Sequence, residues 1–160
     1  ASSPISARTQ LAGARAIIGA DATVANDADE AAVWRQQVDL PWTGTGAVVR
    51  LSWRPADLSH ALALVEEMQR QVAVPVVMTG RVGVGAGTIR IDGPASAQLA
   101  AITHLRSSEV VGHVVVLRAD PSVKSTIDVW GSVGEAVGVM AAIKRTLDPA
   151  GILNAGRGPI

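Results

Sequence analysis

Four arginines of this 160-residue chain lie in or beside segments whose alternation predicts strands: Arg50, Arg54, Arg90 and Arg118. A guanidinium offers a planar fork of N–H donors that grips a carboxylate through two parallel bonds, so these side chains suit a small organic acid. A strand arginine also serves as a solvated surface charge, and spacing alone does not choose between the two. Other reactive residue types offer less. His60, His104 and His113 include no close pair and no carboxylate at ligand spacing, and there is no cysteine, so no metal site is expected. No serine sits in a Gly-x-Ser-x-Gly elbow. The run Gly80-Arg-Val-Gly-Val-Gly-Ala-Gly87 has the glycine density of a phosphate loop. Such a loop must deliver the chain into a helix N-terminus, whereas this one leads into Thr88-Ile-Arg-Ile91, a strand pattern. A hairpin or bulge is expected there.

Charge narrows the partners. Fourteen Lys and Arg balance fourteen Asp and Glu, and Phe and Tyr are absent. Neither the cationic excess that binds phosphates nor the usual stacking platform for bases is present, which argues against nucleic acid. No apolar run approaches the roughly 20 residues that span a bilayer, and no secretory signal is visible at the start. The core must come from Val, Leu, Ile, Ala and four Trp, through many modest contacts.

The elements that position these residues follow from periodicity. Ala47–Trp53 alternates as a strand, and Pro55 with Asp57 opens a helix from Leu58 to about Gln71. In that helix Leu58, Leu62 and Val65 share one line, with Ala61 and Met68 on the next. Val74–Thr79 and Thr88–Ile91 are strands, and Asp92-Gly-Pro94 opens a second helix striped by Ala95, Leu99, Ile102 and Leu105. Leu62 and Leu99 are expected to face inward. His113–Leu117 is a continuous apolar run, expected at the centre of a sheet. The order strand, helix, strand, strand, helix, strand predicts an α+β fold, a ferredoxin-like βαββαβ antiparallel sheet with both helices on one face. Two helices precede it, about Arg8–Ile18 and Asp27–Val38, the second opened by Asp27, Asp29 and Glu30 at the positive end of its dipole. The expected organisation is therefore an N-terminal helical segment (1–46), the core (47–118), and a linker, terminal helix (Val133–Leu147) and tail (119–160).

The terminal helix carries Ala136, Met140, Ile143 and Leu147 on one face and runs into Asp148-Pro-Ala-Gly-Ile-Leu-Asn-Ala-Gly-Arg157. The pattern Lys-x-x-x-Asp-Pro-x-Gly-Ile-Leu-Asn-x-Gly-Arg resembles the carboxyl end of FAD-linked oxidases with a PCMH-type flavin domain. Within that group it is most similar to the FAD-binding subunit of bacterial glycolate oxidase. Val48-Val-Arg-Leu-Ser-Trp-Arg-Pro-Ala-Asp-Leu58 and Gly112–Pro121 leading to Asp128-Val-Trp-Gly131 extend the resemblance over roughly the carboxyl two-thirds of the chain. Ala155 departs from it, since the family usually has proline there.

The resemblance implies a cap and carboxyl-terminal region lacking its amino-terminal FAD-binding domain, neither active nor expected to hold FAD by itself. It implies FAD in the whole protein, oxidation of a 2-hydroxy acid, other oxidase subunits as partners, and a cytoplasmic setting with membrane association only through those subunits. Asn154 and Arg157 would stand at the cofactor, and Arg118 and Arg54 would meet the substrate carboxylate. The alternative is a ferredoxin-like small-ligand-binding or assembly module without catalysis, because this superfold hosts many functions.

Overall fold

Residues 4–19, 21–156 and 158–159 are described by a computed structural model. The chain divides into two compact units, Ala1–Gln36 and Gln37–Ile160. The first holds α1 (Pro4–Ile18) and most of α2 (Asp27–Asp39). Acidic Asp27, Asp29 and Glu30 lie in the first turn of α2, as the dipole favours. Leu11, Ile17, Ile18, Val33 and Trp34 are all exposed, so these helices present apolar side chains outward.

The second unit holds β1 (Ala47–Trp53), α3 (Leu58–Val72), β2 (Val76–Arg81), β3 (Ala86–Ile91), α4 (Ala95–Arg106) and β4 (Val111–Arg118). Two shorter helices follow, α5 (Pro121–Thr126) and α6 (Ala136–Leu147). All pairings are antiparallel and the strand order is β2-β3-β1-β4, the ferredoxin-like arrangement expected from the element order. Alternate residues of β1 (Ala47, Val49, Leu51, Trp53) join Ala61, Val65 and Met68 of α3 and Ala101, Ile102 and Leu105 of α4 in one dry core. Both helices therefore cover the same sheet face.

Two turns explain the glycine run. It is a β2–β3 hairpin, closed by a 3₁₀ turn at Val82–Val84 and by Gly85 at φ +66°. A side chain at Gly85 would meet the carbonyl of Trp53 at 2.0 Å, and Trp53 donates its N–H to the Gly85 carbonyl at 2.8 Å. Gly87 faces the core, where a Cβ would press on the Trp53 indole at 3.1 Å. The glycines make space for the largest side chain of β1 and cradle no phosphate.

Three expectations are corrected. The apolar run at His113–Leu117 belongs to an edge strand, because β4 pairs only with β1. It reads as central because its outer edge is covered. Val116 donates its N–H to the Val129 carbonyl at 2.7 Å, and Arg106 donates to the Val114 carbonyl at 3.0 Å. Leu62 is 43% exposed, since α3 turns its Ala61, Val65 and Met68 line to the sheet; Leu99 packs only partly buried against the core. The terminal helix starts at Ala136 rather than Val133, after Gly131 and Gly134 at positive φ. The linker also holds α5, whose signal was legible. Asp120 caps it by accepting from the Ser122 N–H at 2.8 Å, and Pro121 takes the first turn, where its missing donor costs nothing.

Candidate functional site

The carboxyl-terminal motif is a knot built on Asp148. Its carboxylate accepts the backbone N–H groups of Ile152 and Leu153, both at 3.0 Å, and the ammonium of Lys144 at 3.1 Å. Lys144 sits one turn earlier on α6 and also donates to the Leu153 carbonyl at 3.2 Å. Burial opposes the charge on Asp148, but the Leu153 N–H, Lys144 and the Ile152 N–H outweigh it and hold its pKa below the ordinary value of 3.8. Pro149 stops the helix, and Gly151 at φ +65° reverses the chain so that the two N–H groups point back at Asp148. Lys144, Asp148, Pro149 and Gly151 of the motif thus each have a local physical reason, while Ile152 and Leu153 contribute backbone N–H groups and leave their side chains exposed.

That knot presents the tail. Ile152, Leu153 and Asn154 are exposed, and Asn154 sits at φ +51°, a left-handed conformation that asparagine tolerates better than most residues. Its amide makes no hydrogen bond to a described residue. Arg157 lies outside the described residues. No residue of α6 is buried, and of the apolar face expected from the sequence Ala136, Ile143 and Leu147 are exposed while Met140 is half-buried.

The arginines separate into two kinds. Arg118 spends Nε and Nη2 on the Gly46 carbonyl and Nη1 on the Trp42 carbonyl at 2.9 Å, and lies 5.8 Å from the centre of the Trp42 ring. It fastens the loop that leads into β1. Arg90 pairs with Asp92 at 3.1 Å and bonds the carbonyls of Leu40 and Thr43, pinning the 3₁₀ turn Leu40–Trp42. Sequence reasoning had no access to these backbone acceptors, which only the folded loop supplies. Arg54 and Arg50 are exposed, and neither guanidinium has a hydrogen bond or ion pair to a described residue. Arg118 is paired with Val48 near one end of β1, while Arg54 follows Trp53 at the other. At roughly 3.3 Å per residue the two stand on the order of 20 Å apart along the strand, and the fold does not bring them together on one small acid.

The histidines stay apart, and no cluster able to hold a metal occurs among the described residues. His104 has its Nε2 buried without a partner on α4, and His60 lies 3.8 Å from Asp57 at the surface. No helix among the described residues is long and apolar enough to cross a membrane.

Fold and tail together define an α+β domain of ferredoxin-like topology that ends in a bare amphipathic helix and a self-knotted tail. Residues 132–157 match the family model described as FAD linked oxidases, C-terminal domain. That segment runs from just ahead of α6 through the Asp148 knot to Arg157. The match supports an FAD-linked oxidase C-terminal domain, and the family implies FAD as cofactor of the full-length protein, with an N-terminal FAD-binding domain as partner. No curated protein and no solved structure matches the chain.

Proposed function

We propose that this chain is the cap and carboxyl-terminal part of an FAD-dependent oxidoreductase that oxidises a glycolate-like 2-hydroxy acid to the 2-oxo acid, similar to the FAD-binding subunit of glycolate oxidase. The observation that carries this reading is the coincidence of the family match with the one helix of the second unit that combines a strong apolar face with no buried residue. A helix of 12 residues that buries no side chain is marginal in water, and a covering partner would stabilise its apolar face. The partner in this reading is the protein's own flavin domain, joined by further oxidase subunits, in a cytoplasmic assembly.

The described residues offer no dinucleotide cradle, since the glycine run forms a hairpin, so the flavin domain would hold the pyrophosphate. This chain would add Asn154 and Arg157 from the tail. FAD, when bound, supplies the hydride acceptor. Asn154 would offer its free amide to the ring edge or the substrate, held outward by its left-handed backbone. Arg157 would pair with an acid or phosphate across the junction. Arg54 retains all its donors for a carboxylate, whereas Arg118 has two N–H groups left after its loop contacts. The cap would exclude water from the flavin face and orient the acid.

The test is the protein joined to whatever is encoded in frame ahead of Ala1. Stoichiometric FAD and bleaching of its absorbance by anaerobic glycolate are expected. Asn154→Gly keeps the positive φ and removes the amide, and is expected to slow that bleaching while leaving the tail folded. A complete, flavin-free short protein would contradict the oxidase and favour the binding or assembly module.

A further inference from the structure

The sheet face turned away from α3 and α4 carries a cation that no described residue neutralises. Strand register places Thr79, Thr88, Arg50 and Val115 in one row across all four strands. The row toward the start of β1 is Val77, Arg90, Val48 and Arg118, and both of its arginines are committed to Asp92 or to loop carbonyls. The 3₁₀ turn Leu40–Trp42 is fastened over that end, and Val48 is fully buried. The row toward the end of β1 holds Arg81, Ala86 and Ser52, with the irregular Gly112–His113 step of β4 opposite Ser52. These three rows contain no carboxylate.

Arg50 is the exposed guanidinium at the middle of this face, on one of the two inner strands, without a hydrogen bond or ion pair to any described residue. Its cross-strand neighbours are a hydroxyl on one side (Thr88) and an apolar wall on the other (Val115). Directly opposed residues have Cβ atoms about 4.5–5.5 Å apart, so Arg50 and Thr88 can reach one ligand of a few heavy atoms. A positive, hydroxyl-lined surface with apolar flanks attracts a small anion and offers it both a fork and a lateral hydrogen bond.

We propose that Arg50 and Thr88 form a further carboxylate-binding site of this chain, on the open sheet face. Arg50 takes the carboxylate of a small 2-hydroxy acid in its fork, and the Thr88 hydroxyl bonds the acid's own hydroxyl. The choice of a 2-hydroxy acid rests on the oxidase reading, while the anion site rests on the sheet alone. The site deepens that reading by naming the surface of the cap that faces substrate.

The test uses the 160-residue chain at low ionic strength, titrated with glycolate, acetate, uncharged glycolamide and inorganic phosphate, and followed by proton–nitrogen NMR. Glycolate is expected to give saturable shifts at the Arg50 Nε–H and the Thr88 and Val115 amides, with glycolamide silent. Arg50→Gln is expected to weaken glycolate at least tenfold. Arg50→Lys, which keeps the charge without the fork, should fall between. Thr88→Val should erase the preference for glycolate over acetate, and Lys124→Gln, which removes a charge from α5, should change nothing. Unchanged signals from the core would establish that each variant is folded. The proposal is overturned if no saturable shift appears, if shifts centre on Arg54 or Arg118, if they survive in Arg50→Gln, or if acetate or phosphate binds as tightly as glycolate. A flavin-free joined protein would sink the oxidase reading and leave the Arg50 result untouched, so the two failures are distinguishable.

Discussion

The sheet with its two helices and the carboxyl-terminal helix with its tail are built on opposite economies. In the first, Leu51, Ile89, Ile91, Ile102 and Leu105 are essentially free of solvent, and every strand has a partner. In the second, α6 shows Val139, Ile143 and Leu147 to water, and the polar knot at Asp148 ties the tail to the end of that helix. One region is stabilised by what it buries within the chain. The other is shaped locally and left open, as expected of a surface meant for another domain.

The largest effect that would sharpen this contrast lies in the core. Ile102→Ala removes a fully buried side chain between α4 and the sheet, and is expected to cost about 2–5 kcal/mol in urea unfolding. The same truncation at Leu62 should stay within about 0.5 kcal/mol, since that side chain is largely solvated. Equal losses at the two positions would refute the assigned face of α3. Next comes Arg90→Met, which deprives Asp92 and three oxygens of the Leu40–Thr43 loop of their donor and is expected to cost about 2–3 kcal/mol.

The smallest effect concerns the tail. The folded pKa of Asp148 is lowered, so its carboxylate supports the knot at every pH above the ordinary value of 3.8. That support is lost as the pH falls through the lowered folded value. The Ile152 and Leu153 amide signals should therefore hold their bonded positions at neutral and mildly acid pH and collapse together only below 3.8. Loss of those positions near neutrality would show that another group holds the tail.

How far the sequence could be read follows the same division. The βαββαβ order was legible because Pro55, Gly80–Gly87 and Gly93-Pro94 punctuate segments of clear period, and local signals of that kind survive folding. The edge position of β4 was not, because Val129 and Arg106 shield it through contacts that no periodicity in the strand announces. Leu62 misled because two adjacent lines of an apolar helix differ by about 100° and only packing selects between them. The tail knot was visible as a motif, and its reason appears only when Ile152 and Leu153 are seen to turn their N–H groups onto Asp148. Among the arginines, strand pattern alone offered four, and the resemblance singled out Arg118 and Arg54. The difference between the clamped Arg90 and Arg118 and the bare Arg50 and Arg54 depends on carbonyls that the loop at 40–46 brings into range.

Native-state hydrogen exchange across the chain, alone and joined to an amino-terminal flavin domain, tests the central claim most directly. In the chain alone, the α6 amides from Ala136 to Leu147 should exchange through local opening, far faster than the amides of β1, β3 and α4, which await global unfolding. Joined to the flavin domain, α6 should gain protection by at least tenfold while the core is unchanged. Protection of α6 equal to that of β1 in the chain alone, or no gain on joining, would contradict the account.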